Sequence, residues 1–189
     1  MSFLTGSELS KLGFKSLGEN VKISNKAVFY NTHNISIGDN TRIDDFCILS
    51  AGCEISIGAY VHISVYSSLI GKGIIRIEDH VALSGRTSLY SSNDDYSGEY
   101  LTNPTVSSEY TNVLNQDVVI EKHSIIGSGC VILPGSYLEK GVAVGSLSLI
   151  KGKLKEFGIY AGIPVKFIKS RSKNLLILEE KFIDSKLNV

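Results

Sequence analysis

Large aliphatic residues recur every six positions along most of this chain, each followed four residues later by a small one. From Leu17 the units read LGENVK, ISNKAV and FYNTHN, then IGDNTR, IDDFCI and LSAGCE, then IGAYVH, ISVYSS and LIGKGI, then IEDHVA and LSGRTS. The pairs Ile35-Ser36, Ile55-Ser56 and Ile75-Arg76 separate successive groups. From Ile120 the pattern restarts as IEKHSI, IGSGCV, ILPGSY, LEKGVA and VGSLSL. A period of six is neither that of a helix nor that of a simple strand. It predicts a solenoid, an all-β coil with three short flat strands and three tight corners per turn, aliphatics stacked inside and small residues at the inner corners. Ile37, Ile57 and Ile77 mark one corner of successive 20-residue coils, with Leu17 one period earlier, and from Ile120 to Leu138 the coil shortens to 18. The fifth place of the hexad is the small inward one. It holds all three cysteines, Cys47, Cys53 and Cys130, which assigns them to core packing, and His33 is its one large occupant, expected as an inward structural histidine.

The period breaks once, over residues 91–117, SSNDDYSGEYLTNPTVSSEYTNVLNQD. Tyr96, Tyr100, Val106 and Tyr110 are too apolar for a solvated linker, so an ordered loop is expected, and a loop carried on a rigid repetitive support is where a site is placed. Three parts follow: an N-terminal helical cap over residues 1–16, opened by the capping box Thr5 and Glu8; a coil over 17–172 with the loop inserted; and a C-terminal helix over 173–189. In that helix Leu175, Leu178 and Phe182, extended by Leu187, form an apolar stripe for docking on the coil or on a neighbouring copy.

Lys and Arg balance Asp and Glu at 19 each, so the total charge implies no polyanion partner. Charge is segregated, however: Lys151, Lys153, Lys155, Lys166, Lys169, Arg171 and Lys173 face a single acid, Glu156. Too few aromatic platforms accompany that run for nucleic acid. No transmembrane stretch or secretory leader is evident, and a cytoplasmic protein with reduced thiols is expected. The cysteines have no metal-type spacing.

The hexads, the single loop and the closing stretch with Pro134-Gly135, Gly145 to Ser148, Lys151 and Tyr160-Ala-Gly-Ile-Pro164-Val-Lys166 resemble the hexapeptide-repeat acyltransferases, whose fold is a left-handed parallel β-helix. DDYSGEYLTNPT and VHISVY are most similar to sugar O- and N-acetyltransferases of surface-polysaccharide and O-antigen pathways, one group of which acetylates a dTDP-4-amino-4,6-dideoxyglucose. The resemblance implies a homotrimer with active sites between neighbours and acetyl-CoA lying toward the C-terminal coils. Gly127, Ser128, Gly145, Ser146, Lys151 and Lys166 are the residues expected at the cofactor, with no metal. The acceptor is a sugar or sugar nucleotide bearing an amine or a hydroxyl. A non-catalytic β-helix scaffold, or a relative of the metal-dependent carbonic anhydrases, is the alternative.

Acyl transfer needs a proton acceptor, donors for the developing oxyanion, and a site that orients both substrates. Many members with sugar acceptors carry the catalytic histidine in the long loop. This chain has none between 81 and 122; Asp94 stands near that place. His62, outward on a flat strand, His123, at a corner, and Asp94 are the catalytic candidates. Asp94, Asp95, Glu99 and Asn103 are the expected acceptor-binding residues, and the composite proposed pairs the loop acids with His62 or His123. His80 reads as an exposed corner residue.

Overall fold

The computed structural model describes residues 2–187, without the side chain of Leu187. Hexads stack in register: Ile35, Ile55 and Ile75 pair in turn, as do Ile43, Ile63 and Leu83, and Ile120 pairs with Leu138. Three parallel sheets result. The first face runs from Ser16–Leu17 through Ile55–Ile57 to Lys153–Leu154. The second runs from Lys22–Ile23 through His62–Ile63 to Gly158–Ala161, where the antiparallel strand Lys166–Ser170 closes it. The third runs from Val28–Tyr30 through Ser68–Gly71 to Leu149–Ile150. Inside the prism, Ile23, Ile43, Ile63, Leu83 and Ile126 form one fully buried file, and Cys47, Ser67, Thr87 and Cys130 fill the tapering corner beside the third face. Burial pushes the Cys47 thiol up to about 11, which makes it an inert packing group.

Each coil turns its first corner, between the first and second faces, through a left-handed residue: Asn20, Asn40, Tyr60, His80 and His123 have φ between 55° and 64°. Acids bind this corner together from coil to coil. Asp39 accepts the amide of Glu19 and Asp79 that of Ala59, both at 2.7 Å, and Glu121 accepts that of Lys140. Glu139 takes Lys153 and the amide of Glu156, which hold its carboxyl down at about 2.

The third corner departs from the expected register. His33 is exposed in a short turn, Thr32–Asn34, and Cys53 is exposed as well. The two extra residues that each 20-residue coil carries there make the chain swing outward before it rejoins the first face, and the inward place goes to Ala51 and Ser91 instead. His33 is therefore a surface residue, and only Cys47 and Cys130 belong to the core.

At the N-terminus, helix α1 (Gly6–Lys11) carries the expected capping box: Thr5 Oγ1 accepts the Glu8 amide, and the Glu8 carboxylate accepts the amide of Thr5 at 2.7 Å. Leu9 is buried, and Leu4, Leu12 and Phe14 pack against the aliphatic core, covering the open end of the coil. Helix α2 (Asn174–Leu187) runs back along the first corner, where Phe182 meets Tyr60 edge-on at 5.4 Å. The expected extension of its stripe rests on the side chain of Leu187, which lies outside what is described.

Candidate active site

At the second corner, between the second and third faces, backbone register stacks Ser24, Asp44, Ser64, Ser84, Gly127 and Gly145 in one file. Ser84 is half-buried at this corner, one corner before the loop leaves in the same coil. His62 lies on the second face next to this corner, outward as expected, with its backbone paired to that of Ala82. Its Nε2 is 2.8 Å from Asp44 Oδ2, and Arg42 Nε donates to the other oxygen at 2.7 Å.

The loop leaves at the third corner. Ser92–Asn93 pairs antiparallel with Leu114–Asn115, so its two stems are clamped together and the segment between them projects as a unit. Asp94 lies at the mouth of a cleft of about 290 Å³ with Lys72, Ser92, Asn103, Pro104 and Val106. Asp94 and Asn103 are therefore brought together. Asn103 adopts φ 75° and uses Oδ1 to accept the amide of Thr105 at 3.0 Å. Asp95 closes the turn: its carboxylate accepts the amides of Ser97 and Gly98, and the Ser97 hydroxyl bond above all holds its pKa below the ordinary value. Glu99 is exposed, its amide donating to Ser97 Oγ. Tyr96 extends from this turn 87% exposed.

The composite expected from the sequence does not form within one chain. Asp94 is at the third corner, His62 on the face opposite it, and His123 at the first corner. His123 is also not an open corner residue: α2 covers it, leaving its side chain 8% exposed, and its Nε2 lies 2.9 Å from Glu179 Oε2. Burial lowers its pKa, against a smaller raising effect of the Glu179 carboxylate. His80 stacks between Tyr60 and His123, at 4.9 and 5.2 Å, under the same helix. Nothing within a sequence window shows this, because the covering carboxylate comes 56 residues later. Among the described residues no His, Cys, Asp and Glu side chains form a group able to hold a metal ion.

Toward the C-terminal end, the residues expected at the cofactor divide between two edges. Gly127, Ser128, Gly145 and Ser146 sit at the second corner, beside an apolar cleft of about 220 Å³ lined by Gly129, Val131, Leu147, Leu149 and Ile163. Gly127 also has a packing reason: a Cβ there would lie 2.5 Å from the Ser146 amide of the next coil. Lys166 opens the closing strand, opposite Ala161, at this end of the second face. Lys151 is at the third corner, the edge that carries the loop. Both lysines are exposed.

Serine is common among these hexads, so Ser84 has no signal in the sequence that separates it from its neighbours in the file. Its place at the second corner, in one file with Gly127 and Gly145, is visible only once the coils are stacked.

No model of a protein family matches the chain. It is 54% identical over 183 residues to a dTDP-4-amino-4,6-dideoxy-D-glucose acyltransferase of Escherichia coli, which covers 96% of this chain and 95% of that protein. AntD, an N-acyltransferase from Bacillus cereus solved with dTDP and 3-hydroxybutyryl-CoA, matches with a TM-score of 0.95 and 44% identity over 100% of this chain and 99% of its own. AntD has also been solved as the D94N variant with dTDP and coenzyme A, and as the S84A variant with dTDP-4-amino-4,6-dideoxyglucose and coenzyme A. A hexapeptide-repeat acetyltransferase from Vibrio cholerae shares the fold, with a TM-score of 0.59 at 19% identity over 87% of this chain and 75% of that one. On these grounds the chain belongs to the family of the dTDP-4-amino-4,6-dideoxyglucose acyltransferases.

Proposed function

We propose that this protein transfers an acyl group, acetyl in our reading, from acyl-CoA to the 4-amino group of dTDP-4-amino-4,6-dideoxyglucose. The observation that carries the reading is full-length kinship with an acyltransferase named for that sugar nucleotide. Ser84 and Asp94 stand in this chain under the same numbers as the two positions varied in AntD, and they lie at the two corners that bound the third face. The scaffold and carbonic-anhydrase alternatives find no support in these relatives. Such a product suits surface-polysaccharide assembly, and the reaction suits the cytoplasm, where nucleotide sugars and CoA thioesters are made.

The assembly proposed is a homotrimer with the third face inward. That face exposes Val28 and Ile48, flanked by Tyr30 and by Phe46 and Tyr66 at its edge, an apolar surface that a second copy would cover. Threefold packing on this face sets the second corner of one copy beside the third corner of the next. Ser84, His62, Gly145 and Lys166 of one chain then share a groove with Asp94 and Lys151 of its neighbour.

In that groove the neutral amine attacks the thioester carbonyl. The new C–N bond forms as the carbonyl electron pair moves onto oxygen, where the Ser84 hydroxyl donates a hydrogen bond. Asp94 accepts an N–H of the amine and orients its lone pair, with Asn103 beside it for a sugar hydroxyl. Collapse expels the CoA thiolate. His62 takes the proton shed by the nitrogen and returns it to that sulfur, so amide and free thiol are the only products. Lys151 and Lys166 meet CoA phosphates, and the apolar cleft at Leu147 and Ile163 holds the pantetheine arm.

The test is thiol release from acetyl-CoA with dTDP-, UDP- and GDP-linked amino sugars and with unmodified glycans. Turnover with dTDP-4-amino-4,6-dideoxyglucose is expected. Turnover only with hydroxyl acceptors would refute the amine assignment, and a scattering mass of one 20.5 kDa chain at micromolar concentration would refute the shared groove.

A further inference from the structure

Asp44 occupies a place that serine or glycine holds in the neighbouring coils, Ser24, Ser64, Ser84, Gly127 and Gly145. Its side chain is only 5% exposed, whereas that of its partner His62 is 45% exposed. Burying a carboxylate is costly unless its oxygens are partnered, and a small residue would satisfy this corner without that cost. Both oxygens are partnered here, one by Arg42 Nε and the other by His62 Nε2. The pair therefore has a dry end at the carboxylate and a wet end at the imidazole.

An ionised carboxylate only accepts hydrogen bonds, so the contact requires the proton of a neutral His62 to be on Nε2 and leaves the lone pair on Nδ1. Among the described residues no group bonds to Nδ1 of His62. The backbone of His62 pairs with that of Ala82, two residues before Ser84, so the strand that carries the ring lies one rung of about 4.8 Å from the coil of that serine. Arg42 grips the second oxygen of Asp44 and prevents the carboxylate from swinging away from the ring.

We infer that Asp44 is a positioning residue for acyl transfer: it holds His62 as the Nε2–H tautomer, with Nδ1 presented to the groove. Nδ1 then takes the proton released from the acylated nitrogen and gives it to the departing thiolate. This rests on the role of His62 given above, and the experiment separates the two.

The rates of His62→Asn, Asp44→Asn and the double variant are compared at saturating sugar nucleotide. His62→Asn is expected to lower kcat by roughly 100-fold and Asp44→Asn by roughly 10-fold, each with the KM for both substrates within about twofold. The double variant is expected to be no slower than His62→Asn alone, because a residue that acts through the ring has nothing left to act on. A merely structural role for Asp44 would multiply the two losses and overturn the inference. An active Asp44→Asn beside an inactive His62→Asn would overturn the role of Asp44 alone, whereas an active His62→Asn would overturn the reading of His62 and this inference with it. A second measurement needs no variant. Ring ¹⁵N spectra of the wild-type protein, which has four histidines, should show neutral His62 protonated on Nε2, and protonation on Nδ1 would refute the arrangement.

Discussion

Ser84 and Asp94 lie on opposite edges of the third face, so in the trimer proposed above a complete site takes one edge from each of two copies. Two crippled variants should then repair one another. In the mechanism proposed, Ser84→Ala removes an oxyanion donor and Asp94→Asn the acceptor for the amine, and each alone is expected to lower kcat by about 100-fold. In a trimer containing both kinds of subunit, going round the ring, one interface in about three places an intact Ser84 edge against an intact Asp94 edge, whichever kind is in the majority. Differently tagged variants, co-expressed and purified through both tags, should therefore recover roughly one third of the wild-type rate, about 30-fold above either parent. Thiol release at saturating acetyl-CoA and sugar nucleotide is the readout, with the two parents mixed after purification as the unexchanged control. If dual-tagged trimers are as slow as the parents, both residues serve the same copy's site and the placement of the third face at the threefold axis is wrong.

Lys151→Ala and Lys166→Ala should each raise the KM for acetyl-CoA several-fold with kcat nearly unchanged, as loss of uniform binding does, and an unchanged KM in both would remove them from the cofactor site. Ile63→Ala, at a fully buried position in the middle of the coil, should cost about 2–5 kcal/mol in denaturant unfolding, and a cost below 1 kcal/mol would contradict the packing described. His123 has a lowered pKa in the fold, so the folded state favours its neutral form. The stability that follows is present above the ordinary histidine value of about 6.5 and is lost as pH falls through the lower folded value. The melting temperature should accordingly fall between neutral pH and about pH 5, and less so in His123→Asn, whereas an identical fall in both would show that this histidine is not the group responsible.

Most of the coil was legible because a solenoid repeats its environment. Ile35, Ile55 and Ile75 each meet the same neighbours, so one local rule applies again in every turn. The rule failed at the third corner, where the extra residues of a 20-residue coil push His33 and Cys53 outward, a matter of backbone path rather than of side-chain pattern. The long loop was found by the absence of period. What it touches was not, since the cleft shared by Asp94, Asn103 and Lys72 depends on how the segment folds over the preceding coil. His62 was correctly read as outward, but its carboxylate partner lies 18 residues away in the previous coil, and the helix over His123 still further. The polar contacts that shape the site join residues that no short window contains together.

Helix α2 sets the final turns of the chain against much earlier ones. Arg171 donates to the carbonyls of His123 and Gly141, Glu179 engages His80 and His123, and Lys186 reaches the hydroxyl of Tyr60 at 2.5 Å, 126 residues back. A bare solenoid touches only its nearest neighbours and can fray one repeat at a time from either end. Here the last coil cannot peel away without dragging the helix off the third. The C-terminal coils, which carry the residues assigned to CoA, are thereby tied to the unfolding of the middle of the prism, and their amides should exchange with solvent as one block with it rather than as a loose tail.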